Sequence, residues 1–320
     1  MFYRKIINEL KHSILKKIFI IVSLLVCSCD KNSEGLIQVI SETNNVNQST
    51  IDSDGDGIPD DIDQENNTRL GAEVDENGVM KNPIYLDENE ITIKAKDWAI
   101  SGDVGMINEV EYEIVSEEEL RSKILNDEDI TKICTSKISS FSWLFLDKSE
   151  FNQDIGSWDT SNVTATNFMF YNAFSFNQNI GNWDTSKVTD MNFMFWEASL
   201  FNVDIRLWDT SNVTNMKQAF HEASSFDQNI SAWNVGYVTS MEAMFYDASA
   251  FNQPIVNWDT SSVVTVQNIF KNATTFNQNL SNWNISAATN MNYMFDNANA
   301  LSDANKAAIH YSFKSNPNWT

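Results

Sequence analysis

From Phe151 to Ala300 the chain is one 25-residue unit written six times, with no insertion or deletion between copies. So strict a period leaves little freedom. Every copy must be the same small element, and each must bury its apolar side against the copies before and after it.

Within the unit, positions can be numbered as columns 1 to 25. Column 1 is always Phe (Phe151 to Phe276), column 8 always Trp (Trp158 to Trp283), column 20 always Phe (Phe170 to Phe295), and column 23 always Ala. Column 5 is Ile or Leu, from Ile155 to Leu280. Columns 13, 16, 19, 20 and 23 (Val188, Met191, Met194, Phe195, Ala198) step by three or four, which predicts a short helix. The Thr of column 14 suits its N-cap. The preceding Trp-Asp-Thr-Ser alternates as a short strand does, and such strands are expected to pair in parallel about 4.8 Å apart. The unit therefore reads as strand, turn, helix and return. The Asn of column 2, replaced once by Asp227, is read as a structural ladder that satisfies backbone groups of the next turn.

The motif FNQ-x-I-x-x-W-D-T-S-x-V-T-x-M-x-x-M-F-x-x-A resembles the repeat of BspA-like leucine-rich-repeat surface proteins, also found in mycoplasma-type surface lipoproteins. The resemblance implies an α/β fold, a leucine-rich-repeat-like solenoid of 25-residue strand-turn-helix repeats, and a surface interaction role. Residues 126–150 align as a degenerate unit, with Ile130, Ile133, Ile138 and Phe145 in the Ile, Trp, Val and Phe columns. The repeat region is thus 126–300, with full copies over 151–300. Residues 84–125 are expected to form a small N-terminal βα cap. In it, Ile107-Asn-Glu-Val110 is placed to close a hairpin, and Ser116 with Glu119 forms a capping box. Residues 301–320 read as a C-terminal helical cap with Ala304, Ala308 and Tyr311 on one face and Pro317 as a stop.

The first 29 residues read as a lipoprotein signal peptide. Arg4, Lys5, Lys11, Lys16 and Lys17 are its basic part, and Ile18 to Val26 is an apolar run too short to span a bilayer. Cys29, preceded by Ser28, resembles the lipobox cysteine better than Cys27, which follows the larger Val26. Cys29 is therefore the expected lipidated first residue of the mature chain. Secretory cleavage without lipid is the other reading. This places the protein in a bacterial cell envelope, at the outer membrane or cell surface, attached to the membrane by its N-terminal lipid alone. The remaining Cys134 has no partner for a disulfide and reads as a buried hydrophobe. A net charge of −23 excludes nucleic acid as a partner and repels anionic headgroups.

Residues 30–83 form a polar tether that contains an acidic loop over 52–63. There Asp52, Asp54, Asp56, Asp60 and Asp63 offer side-chain oxygens at positions 1, 3, 5, 9 and 12, and Ile58 offers its carbonyl at position 7. A hard cation such as Ca²⁺ collects oxygens at that spacing, and a Gly at position 6 permits the turn. With Asp63 in place of Glu and no flanking helices, the loop resembles a thrombospondin type 3 repeat. An acidic linker that binds nothing is the alternative.

No catalytic set is legible. His12, His221 and His310 lack partners at a recognisable motif spacing. The column-9 carboxylates Asp159, Asp184, Asp209 and Asp259 read as solvated or bonded to the following Thr and Ser. A hydrolase working across them is the disfavoured alternative. The favoured function is a lipid-anchored surface protein that binds an extracellular protein or glycan and is not an enzyme; a passive spacer or coat protein is the second reading. Specificity is expected where columns vary. Tyr171, Trp196, His221 and Tyr246 in column 21, with Phe168 and Phe193 in column 18, form the candidate binding edge. Packing of these rings on neighbouring units is the competing reading.

Overall fold

The computed structural model of the protein describes residues 51–319. The signal segment, Cys29 and the tether up to residue 50 lie outside the described residues. The capping piece opens with β1 (Ile84–Leu86) and β2 (Ile93–Ala95), an antiparallel pair. It continues with β3 (Val104–Ile107) and β4 (Val110–Ile114), whose hairpin closes through Asn108 (φ 51°) and Glu109 (φ 66°). Two left-handed residues are what a tight hairpin of this twist needs. Helix α1 (Glu117–Leu125) follows, opened by the Ser116–Glu119 capping box and burying Leu120 and Ile124. The short β5 (Ile133–Cys134) belongs to the first, degenerate unit and pairs in parallel with β4, so the cap and the repeats share one sheet.

The repeats stack in register. Isolated parallel bridges tie Ser140 to Ala165, Ala165 to Asp190, and so on in steps of 25 to Asn290. The expected helix in each unit is absent. From column 16 onward the backbone is a run of turns, in which Met194, Trp196 and Ala198 donate their amides three residues back, to Met191, Phe193 and Phe195. The alternate amides leave the unit: Met191, Phe193, Phe195 and Glu197 donate to Asn215, Lys217, Ala219 and His221 of the next copy, at 2.8–3.0 Å. Columns 18 and 22 hold a positive φ in every unit, as at Phe193 (57°) and Glu197 (53°). No α-helix of L-residues contains such a conformation. Turns closed three residues apart point side chains inward every three or four positions, so they mimic helical periodicity.

Two further expectations change with this. Parallel pairing falls at column 15, not on the Trp-Asp-Thr-Ser stretch, which carries no strand. The column-14 Thr does not cap a helix. Thr189, for example, sends its amide (3.0 Å) and hydroxyl (3.3 Å) to the carbonyl of Thr164 in the preceding unit.

One continuous core runs from Val115 to Phe313. The column-20 rings stack at 5.4–5.7 Å from Phe145 through Phe295. The column-8 Trp is buried in all six full units, 5% exposed at most. Each indole Nε1 donates at 2.9–3.2 Å to a carbonyl 28 residues earlier, as Trp208 does to Ile180. The column-2 ladder is present: Oδ1 of Asn152, Asn177, Asn202, Asp227 and Asn252 each accepts the column-2 amide of the following unit.

At the far end α2 (Asp303–Phe313) is capped by Ser302 and buries Ile309 and Phe313. The expected face of Ala304, Ala308 and Tyr311 is not the packed one, and Tyr311 is 73% exposed. Ile309 and Phe313, four apart, remove more apolar area from water and win the rotation. Asn316 then anchors the tail on the carbonyls of Ile285 and Ala288. Among the described residues no helix is long and apolar enough to cross a membrane.

Trp208→Ala should cost about 3–5 kcal/mol through lost burial and the cavity left behind. Trp208→Phe keeps a ring and leaves the Ile180 carbonyl its bond from the Trp183 amide, so it should cost less, about 1–2 kcal/mol. Urea denaturation of both variants checks the order.

Candidate functional site

Two regions carry the residues singled out by sequence: the acidic loop and one edge of the stack. In the loop, one carboxylate oxygen from each of Asp52, Asp54 and Asp56 lies within 4.8 Å of the others. Left-handed Gly55 (φ 79°) and Gly57 (φ 98°) make the bend, and their amides donate to the Asp52 carboxylate at 2.7 and 2.9 Å. Asp54 accepts from the Thr68 amide at 2.7 Å. Asp56 accepts from the Ile58 amide at 2.8 Å, while its Oδ2 is buried without a partner.

Asp60 and Asp63 do not join this trio. Ser53 engages both oxygens of Asp60, through its amide and hydroxyl, and holds that carboxyl below its usual range. Asp63 turns to the Glu65 amide at 2.8 Å and packs on Gly78, where an added Cβ would come 1.9 Å from its Oδ1.

The edge residues are brought together. Trp143, Phe168 and Phe193 stack face to face at 3.9 and 4.4 Å. Beside them Tyr171, Trp196, His221 and Tyr246 stack at 5.4, 3.7 and 4.5 Å. Lys271 continues the second row, its Nζ 5.1 Å from the ring of Tyr293 and paired with Asp296 at 3.1 Å. Phe193 and His221 are buried; Phe168, Tyr171, Trp196 and Tyr246 are half-buried. Packing on neighbours is therefore real, and it leaves a band of rings that reaches the surface at Phe168, Tyr171, Trp196 and Tyr246. Trp143 and Lys271 belong to this band although neither was singled out from sequence. Trp143 was findable, because it falls in column 18 of the degenerate unit.

Next to the rings runs column 22, with Glu197, Glu222 and Asp247 in three successive units. With Phe174, Ser199 and Ser224 they line an open groove of about 330 Å³. Burial, together with the charges of Glu197 and Asp247, raises the carboxyl pKa of Glu222. Trp196 Nε1 donates to Glu197 at 3.1 Å. One unit on, His221 Nδ1 is buried without a partner, 3.5 Å from Glu222, and burial pushes its pKa down to about 3.

The column-9 carboxylates serve local turns. Asp159, Asp184, Asp209 and Asp259 each accept the amide of the Ser two residues on, at 2.9–3.1 Å. Those bonds, with the Ser hydroxyls, hold Asp209 and Asp259 below the usual carboxylate range.

A family described as Mycoplasma protein of unknown function, DUF285, matches residues 116–217 and again residues 201–307, together more than half of the chain. No curated protein and no solved structure matches it.

The buried imidazole makes a prediction about pH. Unfolded, His221 takes up a proton near its ordinary pKa of 6.5; folded, it stays neutral down to about 3. The unfolded state thus binds more protons, and stability should fall as pH drops through that window. The raised Glu222 acts with the opposite sign, since it protonates more readily in the folded state. His221→Phe keeps a ring in the stack and should lose less stability between about pH 7 and about pH 5 than the parent. Urea midpoints across that range measure it; parallel slopes would mean that the imidazole is not held neutral.

Proposed function

The chain belongs to the DUF285 family, and from that premise we propose that it is a lipid-anchored surface protein whose stacked repeats offer an aromatic edge to an extracellular protein or glycan. The observation that carries this reading is the double row of stacked rings from Trp143 to Tyr246, half-exposed at Phe168, Tyr171, Trp196 and Tyr246. Stacked rings are already ordered in the free protein, so a ligand meeting them loses little side-chain entropy. Ring edges and faces suit sugars and apolar side chains alike. The protein is read as a binding module and not as an enzyme, and the stack as a leucine-rich-repeat-like solenoid whose helical side is replaced by turns. Cys29 is the proposed lipid attachment, which would hold the body at the bacterial cell surface.

The acidic loop is proposed to hold one Ca²⁺. Its donors are hard oxygens, and the buried, unpartnered Oδ2 of Asp56 is an orphan that a cation would satisfy. Asp52, Asp54 and Asp56 would hold it, and its role there would be to brace the loop between tether and cap. Titration of Ca²⁺ should show a site that is lost in Asp54→Ala plus Asp56→Ala, while the urea midpoint of the repeats stays unchanged. Equal affinity in the double variant would reduce the loop to a linker.

The edge is tested with Tyr171, Trp196 and Tyr246 all replaced by Ser, screened against arrayed glycans and extracellular-matrix peptides. Binding lost with the fold retained supports the edge as the interface. Binding retained moves the interface elsewhere.

A further inference from the structure

The strongest unexplained feature is at the C-terminal end of the stack. Six times over, the amides of columns 16, 18, 20 and 22 donate to carbonyls of the following unit, from Phe141, Trp143, Phe145 and Asp147 through to Val266, Asn268, Phe270 and Asn272. The last unit has the same four amides, at Met291, Tyr293, Phe295 and Asn297, and none has a partner among the described residues. Helix α2 and the tail cover the other side of that unit, through Ile309, Phe313 and Asn316. The amide row itself borders an open groove of about 580 Å³, lined by residues 291–296 and Trp319.

An unpaired row of alternate amides is a template for another chain, and protein edges of this kind are normally covered or blunted. We infer that this edge is a docking site for a segment of a partner polypeptide that takes up the same run of turns and adds as one more rung by giving its backbone carbonyls to Met291, Tyr293, Phe295 and Asn297. The occupant follows from continuity: polypeptide carbonyls fill this row at each of the six interfaces within the stack. As in strand addition to an open sheet edge, the affinity comes from the main chain and the specificity from side-chain pockets. Here the pocket is the wall of Phe295 and Trp319, 6.4 Å apart and edge to face, with Tyr293 64% exposed beside it. That wall takes one apolar side chain.

Two other occupants fit less well. An anion would meet Asp296 in the groove and the −23 charge of the chain. A second copy would have to offer the carbonyl row of its first unit, where Arg121 of α1 already holds one member, the Ser142 carbonyl, at 3.0 Å. The two ends of the stack thus differ: Arg121 occupies one member of the carbonyl row at the first, whereas no amide of the row at the last has a partner among the described residues.

The test is amide hydrogen exchange on the full chain, with a synthetic peptide of its own sequence, Thr289 to Asn297, as probe. That segment is the one whose carbonyls fill the preceding row. In the free protein, Tyr293 and Phe295 should exchange at least about tenfold faster than their counterparts Asn268 and Phe270. Saturating peptide should slow both by about tenfold, and an analogue with alternate carbonyls reduced to methylene should not. The inference is overturned by any of four results: equal protection of the two rows in the free chain, no slowing by the peptide, equal slowing by the reduced analogue, or protection that appears only as the chain self-associates.

Discussion

Everything in the repeat region depends on four backbone amides per unit that turn away from their own unit and bond to the next. That arrangement needs a left-handed residue at columns 18 and 22, and in no unit is either of them glycine. A left-handed L-residue costs about 1–2 kcal/mol, and each unit carries two. The cost is offset because the same kinks aim the amides along the stack axis, where carbonyls wait at 2.7–3.2 Å. A unit in isolation would have the strain without the bonds. It can exist only in a stack.

Side chains then complete what the backbone leaves open. The indole of column 8 reaches a carbonyl of the previous unit, and the Asn of column 2 reaches an amide of the next. The column-10 Thr hydroxyl donates forward, as from Thr185 to the Asp209 carbonyl at 3.0 Å. The indole lies in the core, where an unmatched partner costs more than a bond contributes, while most of the column-2 side chains are exposed. Column 8 is invariant among the six copies for that reason, whereas Asp227 enters column 2 and Val235 and Ile285 enter column 10. Column 9 is freer, and Asn234 or Asn284 accepts the same local amide as its Asp neighbours do.

Variation is confined to where the stack tolerates it. Columns 18, 21 and 22 point to one edge, and there the copies differ: rings in the early units, three carboxylates in the middle, Lys271 with Asp296 near the end. One scaffold thus displays a graded surface, aromatic toward its capped end and ionic toward its open one. The burial of His221 between Trp196 and Tyr246 belongs to the same trend, since a neutral imidazole stacks as another ring.

Much of this was legible in the residues. The period, the register of stacking, the buried Trp and Phe columns, the Asn ladder, the degenerate unit at 126–150 and the Ser116 capping box follow from spacing and side-chain chemistry, which act locally or repeat identically. The helix did not follow. Turns closed three residues apart and helical turns share the same inward period, and only the Asn and Asp of column 22, residue types that tolerate left-handed backbone, hinted at the difference. In the acidic loop, spacing grouped five Asp side chains, yet the structure gathers three and turns Asp60 and Asp63 to Ser53 and Glu65. The sequence by itself determined that the chain stacks, and which side chains face inward. Only the tertiary structure decided where each backbone amide goes, because that choice is made between neighbouring units, and it leaves the row at Met291 to Asn297 open.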